Sequence, residues 1–426
     1  MAKQLIVDLH IHSHFSRATS PNLTLEHIYT ACKTKGINIV ATGDFTHPAW
    51  FKELSSKLVP TEQGLYALRN ASQLDSAVPL SCRDNLVRFI YSVEISTIYT
   101  RHGKVRKVHT VVVVSDHTKA QKLNAILQKR GNLAADGRPI LGMDTEELLK
   151  IVLSVDENAL IIPAHIWTPW FGVFGSKSGF NSLEEAFGTY ARYIYAVESG
   201  LDSDPFMNQH KADLGNRTII STSDAHSAQK LAREATILQC SLRYRDLAEA
   251  IKTGDSRFVG TIEFFPAAGK YHLDGHRGCN VKLHFQQTKR IGGICPVCKK
   301  PLTLGVLYRI NELEKGSVTD FSKSIEYIVP LADIFRDIHA VKSASSVSVV
   351  KDTGKAIEIL GSEFNILRHV PTSHIRKAGF EELAQAIENM RSGKVVIDPG
   401  YDGVFGNVSL FNPSGALPQA NQLHIF

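Results

Sequence analysis

The sequence predicts an α/β protein whose strands close into a barrel, and three observations predict it. Within the first 265 residues, short apolar runs at 5–9, 37–42, 86–95, 108–115, 159–162, 193–197 and 218–222 alternate with helical or loop stretches, the rhythm of βαβ units. Between the first two runs, Leu25–Lys35 is patterned as an amphipathic helix. Run after run ends at a His, Asp or Glu, and the C-terminal strand ends are where a parallel barrel carries its catalytic groups.

Composition sets outer limits. A chain of 426 residues that is 43% hydrophobic can bury one large core and one or two small ones. No apolar run has the length of a membrane span, and Met1-Ala2-Lys3-Gln4 leads into a strand rather than a signal peptide, so a cytoplasmic monomer without membrane contact is expected. The net charge of +6 allows a polyanionic partner without requiring one. Of six cysteines, Cys279, Cys295 and Cys298 are clustered, whereas Cys32, Cys82 and Cys240 lie among apolar neighbours as buried thiols.

The first run leads into Asp8-Leu9-His10-Ile11-His12-Ser13-His14. Residues two apart on a strand share a face, so a strand buried at Ile6 ends by aiming His10 and His12 at one point. Two imidazoles there suit zinc or manganese and leave positions open for water and substrate; taken alone, a pair of satisfied surface histidines is the alternative. Later runs bring Asp44-Phe45-Thr46-His47, Glu94, His109, His165, Glu198 and Asp224-Ala225-His226. A lone histidine in a strand is more often a satisfied core group than a ligand. Ionisable groups at strand after strand, however, need compensation near a core, and metal ions supply it. Two metals roughly 3.5–4 Å apart polarise a phosphoryl oxygen and activate a water.

The hairpin around His102-Gly103 places Arg101, Lys104, Arg106 and Lys107 near Glu94 and His109, where they could neutralise phosphates. After His165, the aromatics Trp167, Trp170, Phe171, Phe174 and Phe180 are threaded with glycines. They could stack on a base or pack as the core of a lid. Farther on, His276-x-x-Cys279 and Cys295-x-x-Cys298 have the knuckle spacing of a closed site for one structural zinc, with His272 as the alternative fourth ligand. Lys289 and Arg290, with Lys282 and His284, form a cationic ribbon between the knuckles, either a phosphate clamp or a solvated surface. Residues 323–338, 355–360, 363–368 and 380–392 read as helices of a DNA-facing region without catalytic groups. The last sixteen residues have tether composition and end in Gln422, Leu423, His424, Ile425 and Phe426, apolar anchors on a flexible tail.

Asp8-Leu-His10-Ile-His12-Ser, Thr42-Gly-Asp44, Glu94, His109, His165 and Ser223-Asp-Ala-His226 resemble, in order, the motifs of the PHP superfamily of metal-dependent phosphoesterases. The resemblance implies a distorted (β/α)7 barrel over residues 1–265 holding two or three divalent metals (Zn, Mn or Mg). It assigns His10, His12, Glu94 and Asp224 to one metal and Glu94, His109 and His165 to a second, which makes Glu94 the shared carboxylate and Asp224 a ligand or the group that orients the water. A third site would use His226, with Asp44, His47 or His14 in place of the usual histidine, because this chain has Phe45 there. With a zinc ribbon over 266–310, a helical region over 311–410 and a tail over 411–426, the chain resembles the endonuclease Q family, carried by Gly43-Asp-Phe-Thr-His-Pro48, Gly269-Lys-Tyr-His272, Asp274-Gly-His-Arg277 and Cys295-Pro-Val-Cys298. That family implies cutting of DNA on the 5′ side of uracil, hypoxanthine, xanthine or an abasic site. The terminal peptide looks like those that dock bacterial repair proteins on the sliding clamp. Two other functions stay open: a small-molecule phosphoesterase of the histidinol-phosphatase type, and a non-catalytic damage-binding adaptor.

Overall fold

The computed structural model describes residues 3–209, 211–314 and 322–411. The strand Leu5–Asp8 is buried throughout, because strands flank it on both sides. It pairs in parallel with Ile39–Ala41 and antiparallel with Ala235–Leu238. Ile39–Ala41 continues in parallel to Arg88–Ile90, and Ala235–Leu238 continues antiparallel to Phe258–Glu263. The side-chain period of two sends Ile6 into one apolar cluster and Leu5, Val7 and Leu9 into another. A second sheet contains the long hairpin Ser92–Arg101 and Lys104–Val113, flanked by Ile140–Leu141 and Leu160–Pro163. The strands Ala196–Glu198 and Thr218–Ile220 form a separate parallel pair.

The architecture is therefore mixed α/β, and several strands expected to be parallel are not. The hairpin is antiparallel because His102 and Gly103 take φ of 53° and 71°, a two-residue turn whose twist matches its strands. The run at 86–95 divides at Tyr91 into strands of two different sheets. Residues 323–338 are not one helix. Ser324–Tyr327 is a strand paired in parallel with Phe258–Glu263, and helix Leu331–Ile338 starts after Pro330, whose ring disfavours helical backbone in the residue before it. The helix expected at 355–360 is longer, Val347–Leu360. Leu25–Lys35, Glu363–Arg368 and Glu381–Arg391 are helices where the pattern placed them. The helix Thr372–Lys377 and the antiparallel pair Val396–Asp398 and Asn407–Ser409 were not legible in that pattern.

The C-terminal helices share a core with the first sheet: Phe335, Leu367 and Ile387 belong to the same cluster as Trp50, Phe89 and Trp167. A buried Lys35–Glu363 ion pair at 3.0 Å ties helix Leu25–Lys35 to them. The cysteine-bearing hairpin Asp274–His276 and Val281–Leu283 is bridged to the C-terminal segment through Leu273 and Tyr401. No helix among the described residues is long and apolar enough to cross a membrane. The peptide Gln422, Leu423, Ile425 and Phe426 lies outside the described residues.

Candidate metal centre

His10 and His12 follow the buried strand Leu5–Asp8 and reach the cluster from one side, as the period of two requires. Asp8 locks the opposite segment against that strand: its carboxylate accepts hydrogen bonds from Ser223 N, Ser223 Oγ and Ala232 N at 3.0, 2.6 and 2.8 Å. Asp224 is thereby brought over the histidines. His12 Nε2 lies 3.0 Å from Asp224 Oδ1 and 3.4 Å from Glu94 Oε2. Glu94, in the long hairpin, also meets His109 Nδ1 at 2.6 Å and His165 Nε2 at 3.1 Å.

The result is two overlapping groups, His10, His12, Glu94, Asp224 and Glu94, His109, His165, with ligand atoms within 4.8 Å of one another in each. Metal ions fit this arrangement on one specific ground. His10 Nε2 is buried and without a hydrogen-bond partner, and it faces Glu94 Oε1 at 3.6 Å and Asp224 Oδ1 at 3.5 Å. Those distances are too long for hydrogen bonds and suit donors converging on one ion.

Each imidazole is oriented through its other nitrogen or its neighbours. His10 Nδ1 meets Glu198 Oε2 at 2.8 Å, His12 Nδ1 meets Asp44 Oδ1 at 3.1 Å, and His165 Nδ1 meets Thr168 Oγ1 at 2.9 Å. Asp44, His165 and Asp224 all hold positive φ, 48°, 31° and 46°, strain of the kind that functional sites retain. Gly200, itself at φ 72°, lets the backbone pass His165: a Cβ there would stand 2.5 Å from His165 Cβ.

Electrostatics follow from burial and charge. Burial by itself would raise the Glu94 carboxyl, but His109, Arg138 and His10 outweigh it and hold it well below the usual range. Asp224 is held low in the same way, burial being overcome by His10 and His12. Burial pushes His109 down to about 4 despite the pull of Glu94. Against burial, the carboxylates around His10 and His12 raise both well above the ordinary imidazole value.

The third site expected from Asp44, His47 and His226 is not assembled among the described residues. Asp44 Oδ2 is already taken by Ser13 N, Ser13 Oγ and Ser16 Oγ at 2.6, 2.7 and 2.8 Å, and Oδ1 by His12. His47 caps helix Pro48–Lys57 and turns Nε2 to Ala134 O. His226 packs its ring 4.5 Å from that of His12 and turns Nδ1 to its neighbour's backbone, Asp224 O. His14 Nδ1 lies 3.3 Å from Leu23 O.

A second donor set, His276, Cys279, Cys295 and Cys298, is also gathered within 4.8 Å, with His276 Nδ1 3.7 Å from Cys298 Sγ. Three thiols and one imidazole at such separations fit a tetrahedral ion. His272 is not among them.

The basic and aromatic candidates divide. Arg101 donates to Glu185 O and Ala186 O of helix Leu183–Phe187, and Arg106 to Gly179 O while lying over the Phe180 ring, so both staple the hairpin to neighbouring segments. Lys104 is exposed, and Lys107 Nζ lies over Phe171, whose ring is 4.2 Å from that of His109. Trp167 is 1% exposed and donates Nε1–H to Asn208 Oδ1; it is core, not a stacking surface. Trp170 is 39% exposed. Lys289 and Arg290 are exposed on helix Phe285–Arg290. Sequence reasoning missed Arg138, whose Nη1 donates to Glu94 Oε2 at 3.0 Å; no spacing rule connects the two positions.

Fold and site together define a class: a mixed α/β protein with two histidine and carboxylate groups joined through one buried glutamate, able to hold metal ions. In structure the chain is close to endonuclease Q. It matches the lesion-specific endonuclease PfuEndoQ from Pyrococcus furiosus with a TM-score of 0.82 and 28% identity, over 95% of each chain. It matches an endonuclease Q complexed with a 27-mer duplex carrying an abasic lesion at the active site equally well, over 95% of this chain and 96% of that one. No family model matches. Two curated relatives are uncharacterised proteins: MJ0043 of Methanocaldococcus jannaschii, 26% identical over 257 residues, and YqxK of Bacillus subtilis, 30% identical over 257 residues. The matches span 58% and 59% of this chain but 31% and 62% of those proteins.

Proposed function

We propose that the chain is a metal-dependent endonuclease that cuts DNA beside a damaged nucleotide, on a PHP-type barrel carrying a zinc ribbon. The observation that carries this reading is Glu94, buried and facing both ligand groups at once. The structural closeness to a nuclease held on a lesion-bearing duplex supports it.

His10, His12, Glu94 and Asp224 would hold one divalent ion, Glu94, His109 and His165 another, and His276, Cys279, Cys295 and Cys298 a structural zinc. Bound zinc, manganese or magnesium in the barrel supplies Lewis acidity toward phosphoryl oxygens and a hydroxide near neutral pH. The chain supplies orientation. Glu198, Asp44 and Thr168 fix the imidazole planes. Asp224, with a side chain 30% exposed, is the cluster's carboxylate open to the cleft; ionised at neutral pH, it accepts a hydrogen bond from the attacking water and aims it. Trp170 and Phe171 receive a displaced base, and Lys104, Lys107, Lys289 and Arg290 neutralise the flanking backbone. The lesions are uracil, hypoxanthine, xanthine or an abasic site, with cleavage on the 5′ side. The terminal Gln422, Leu423, Ile425 and Phe426 dock on a sliding clamp.

The test is incubation of the full chain with manganese or magnesium and end-labelled duplexes carrying each lesion or none. Lesion-dependent nicking that disappears in Glu94→Gln is expected. Hydrolysis of small phosphomonoesters without nicking would replace this reading with the histidinol-phosphatase type, and lesion binding with no cleavage would leave an adaptor.

A further inference from the structure

One carboxylate organises the segment from which Arg138 reaches Glu94. Asp136 is buried, and its Oδ1 accepts the backbone N–H of both Arg17 (3.3 Å) and Arg138 (3.1 Å). Its Oδ2 pairs with Arg17 Nε at 3.2 Å. Gly137 N donates to Phe15 O at 3.0 Å, and any Cβ on Gly137 would run into Asp44 Oδ2 and Ser16 Oγ. The segment is therefore clamped directly on the residues that fix His12. Clamping aims Arg138 inward, to Glu94 Oε2 at 3.0 Å with its side chain 26% exposed, and leaves the Arg17 side chain outside at 77% exposure.

A guanidinium cannot ligate a metal: it has five N–H donors, no acceptor, and keeps its charge at any physiological pH. Beside donors that gather cations, a permanent positive charge repels the ions they would hold. Arg138 helps to hold Glu94 ionised, but that contact engages Nη1 and leaves the repulsion between the guanidinium and the ions unanswered. An anion lying between the ions and the guanidinium removes the conflict, and the planar fork matches two oxygens of one phosphate.

We infer that Arg138 grips the non-bridging oxygens of the phosphodiester being cut, and that Arg17, held by the same Asp136, contacts a neighbouring phosphate of the same strand. This rests on the endonuclease reading and names how that site holds its substrate. The two arginines form one bracket, so Asp136 is a positioning residue for both.

The experiment compares full-length wild type, Arg138→Ala, Arg138→Lys and Arg17→Ala. Metal content is measured by mass spectrometry, duplex binding of the metal-loaded protein, with calcium in place of manganese, by fluorescence anisotropy over a salt series, and nicking under single-turnover conditions in manganese. Arg138→Ala is expected to keep its metal and to nick about 100-fold more slowly, the range for removing one preorganised donor from a developing charge. Arg138→Lys restores only part of the rate, and added guanidinium ion speeds Arg138→Ala but not wild type. Arg17→Ala is expected to lower the slope of log affinity against log salt by about one, the value for one phosphate contact. A methylphosphonate at the neighbouring phosphate should weaken wild type and leave Arg17→Ala unaffected. Nicking by Arg138→Ala at the wild-type rate, or slow nicking explained by lost metal, overturns the assignment of Arg138; an unchanged salt slope overturns that of Arg17. If wild type itself does not nick, it is the endonuclease reading that has failed.

Discussion

Glu198 Oε2 stands 2.8 Å from His10 Nδ1, across 188 positions of sequence, and leaves His10 Nε2 facing Glu94 and Asp224. The carboxylate fixes which imidazole nitrogen turns to the cluster. Glu198→Gln should therefore weaken metal binding about 10- to 100-fold, the range for losing such an orienting partner. Competition titration against a chelating dye measures it, and unchanged affinity would show that His10 needs no such partner.

Glu94 belongs to both groups, so Glu94→Gln should cost more than any single histidine. Metal bound by the histidine and carboxylate cluster falls, and nicking falls by at least ~10²-fold. Metal analysis beside single-turnover nicking reads both; retention of full metal and rate would dismiss the shared-carboxylate role.

The cysteine module makes a separate prediction. Cys298→Ala should release one equivalent of metal, leave that of the histidine and carboxylate cluster intact, and open the segment between Asp274 and Cys298 to protease, since small metal-held modules depend on their ion to fold. Simultaneous loss of the metals at the histidine and carboxylate cluster would contradict two independent sites.

Two tryptophans three residues apart should behave oppositely. Trp167→Ala removes a buried side chain and should lower stability by roughly 3–5 kcal/mol, read by denaturant unfolding. Trp170→Ala should leave stability nearly unchanged and weaken lesion-duplex binding by about 1–3 kcal/mol if it stacks on a base. Equal effects on both readouts would remove the distinction.

Stability should also carry a histidine signature. Burial pushes His272 down to about 4, below its unfolded value near 6.5. Between those values the unfolded chain binds the extra proton, so stability rises with pH across that window. The contribution is full above about 6.5 and lost as pH falls through about 4. His272→Leu should flatten the curve in that interval, measured by denaturant melts from pH 4 to 7; an unaltered slope would assign the dependence to other groups.

Much of the site was legible because its signals are local. A period of two aims His10 and His12 together, and two-residue gaps set His276 beside Cys279 and Cys295 beside Cys298. The grouping of Glu94, His109, His165 and Asp224 came from the family resemblance; His165 and Asp224 follow strands, whereas Glu94 and His109 lie within the long hairpin. The fold was legible in its βαβ opening, where Leu5–Asp8, Leu25–Lys35 and Ile39–Ala41 occur as patterned. It was less legible where pairing direction matters, since a strand's hydrophobic pattern is the same beside a parallel or an antiparallel neighbour.

By itself, then, the sequence determined which ionisable side chains this protein would carry on its strands and in the segments just after them. Only tertiary structure decided which remain available there. Asp44 is occupied by His12, Ser13 and Ser16, His47 by its helix, and Trp167 by the core, whereas Arg138 and Glu198 arrive from 44 and 188 positions away to touch Glu94 and His10. The reason is physical. A ligand's direction is set by chain geometry over a few residues, but its freedom to bind is set by whichever partners packing brings within hydrogen-bond reach, and that packing is long-range.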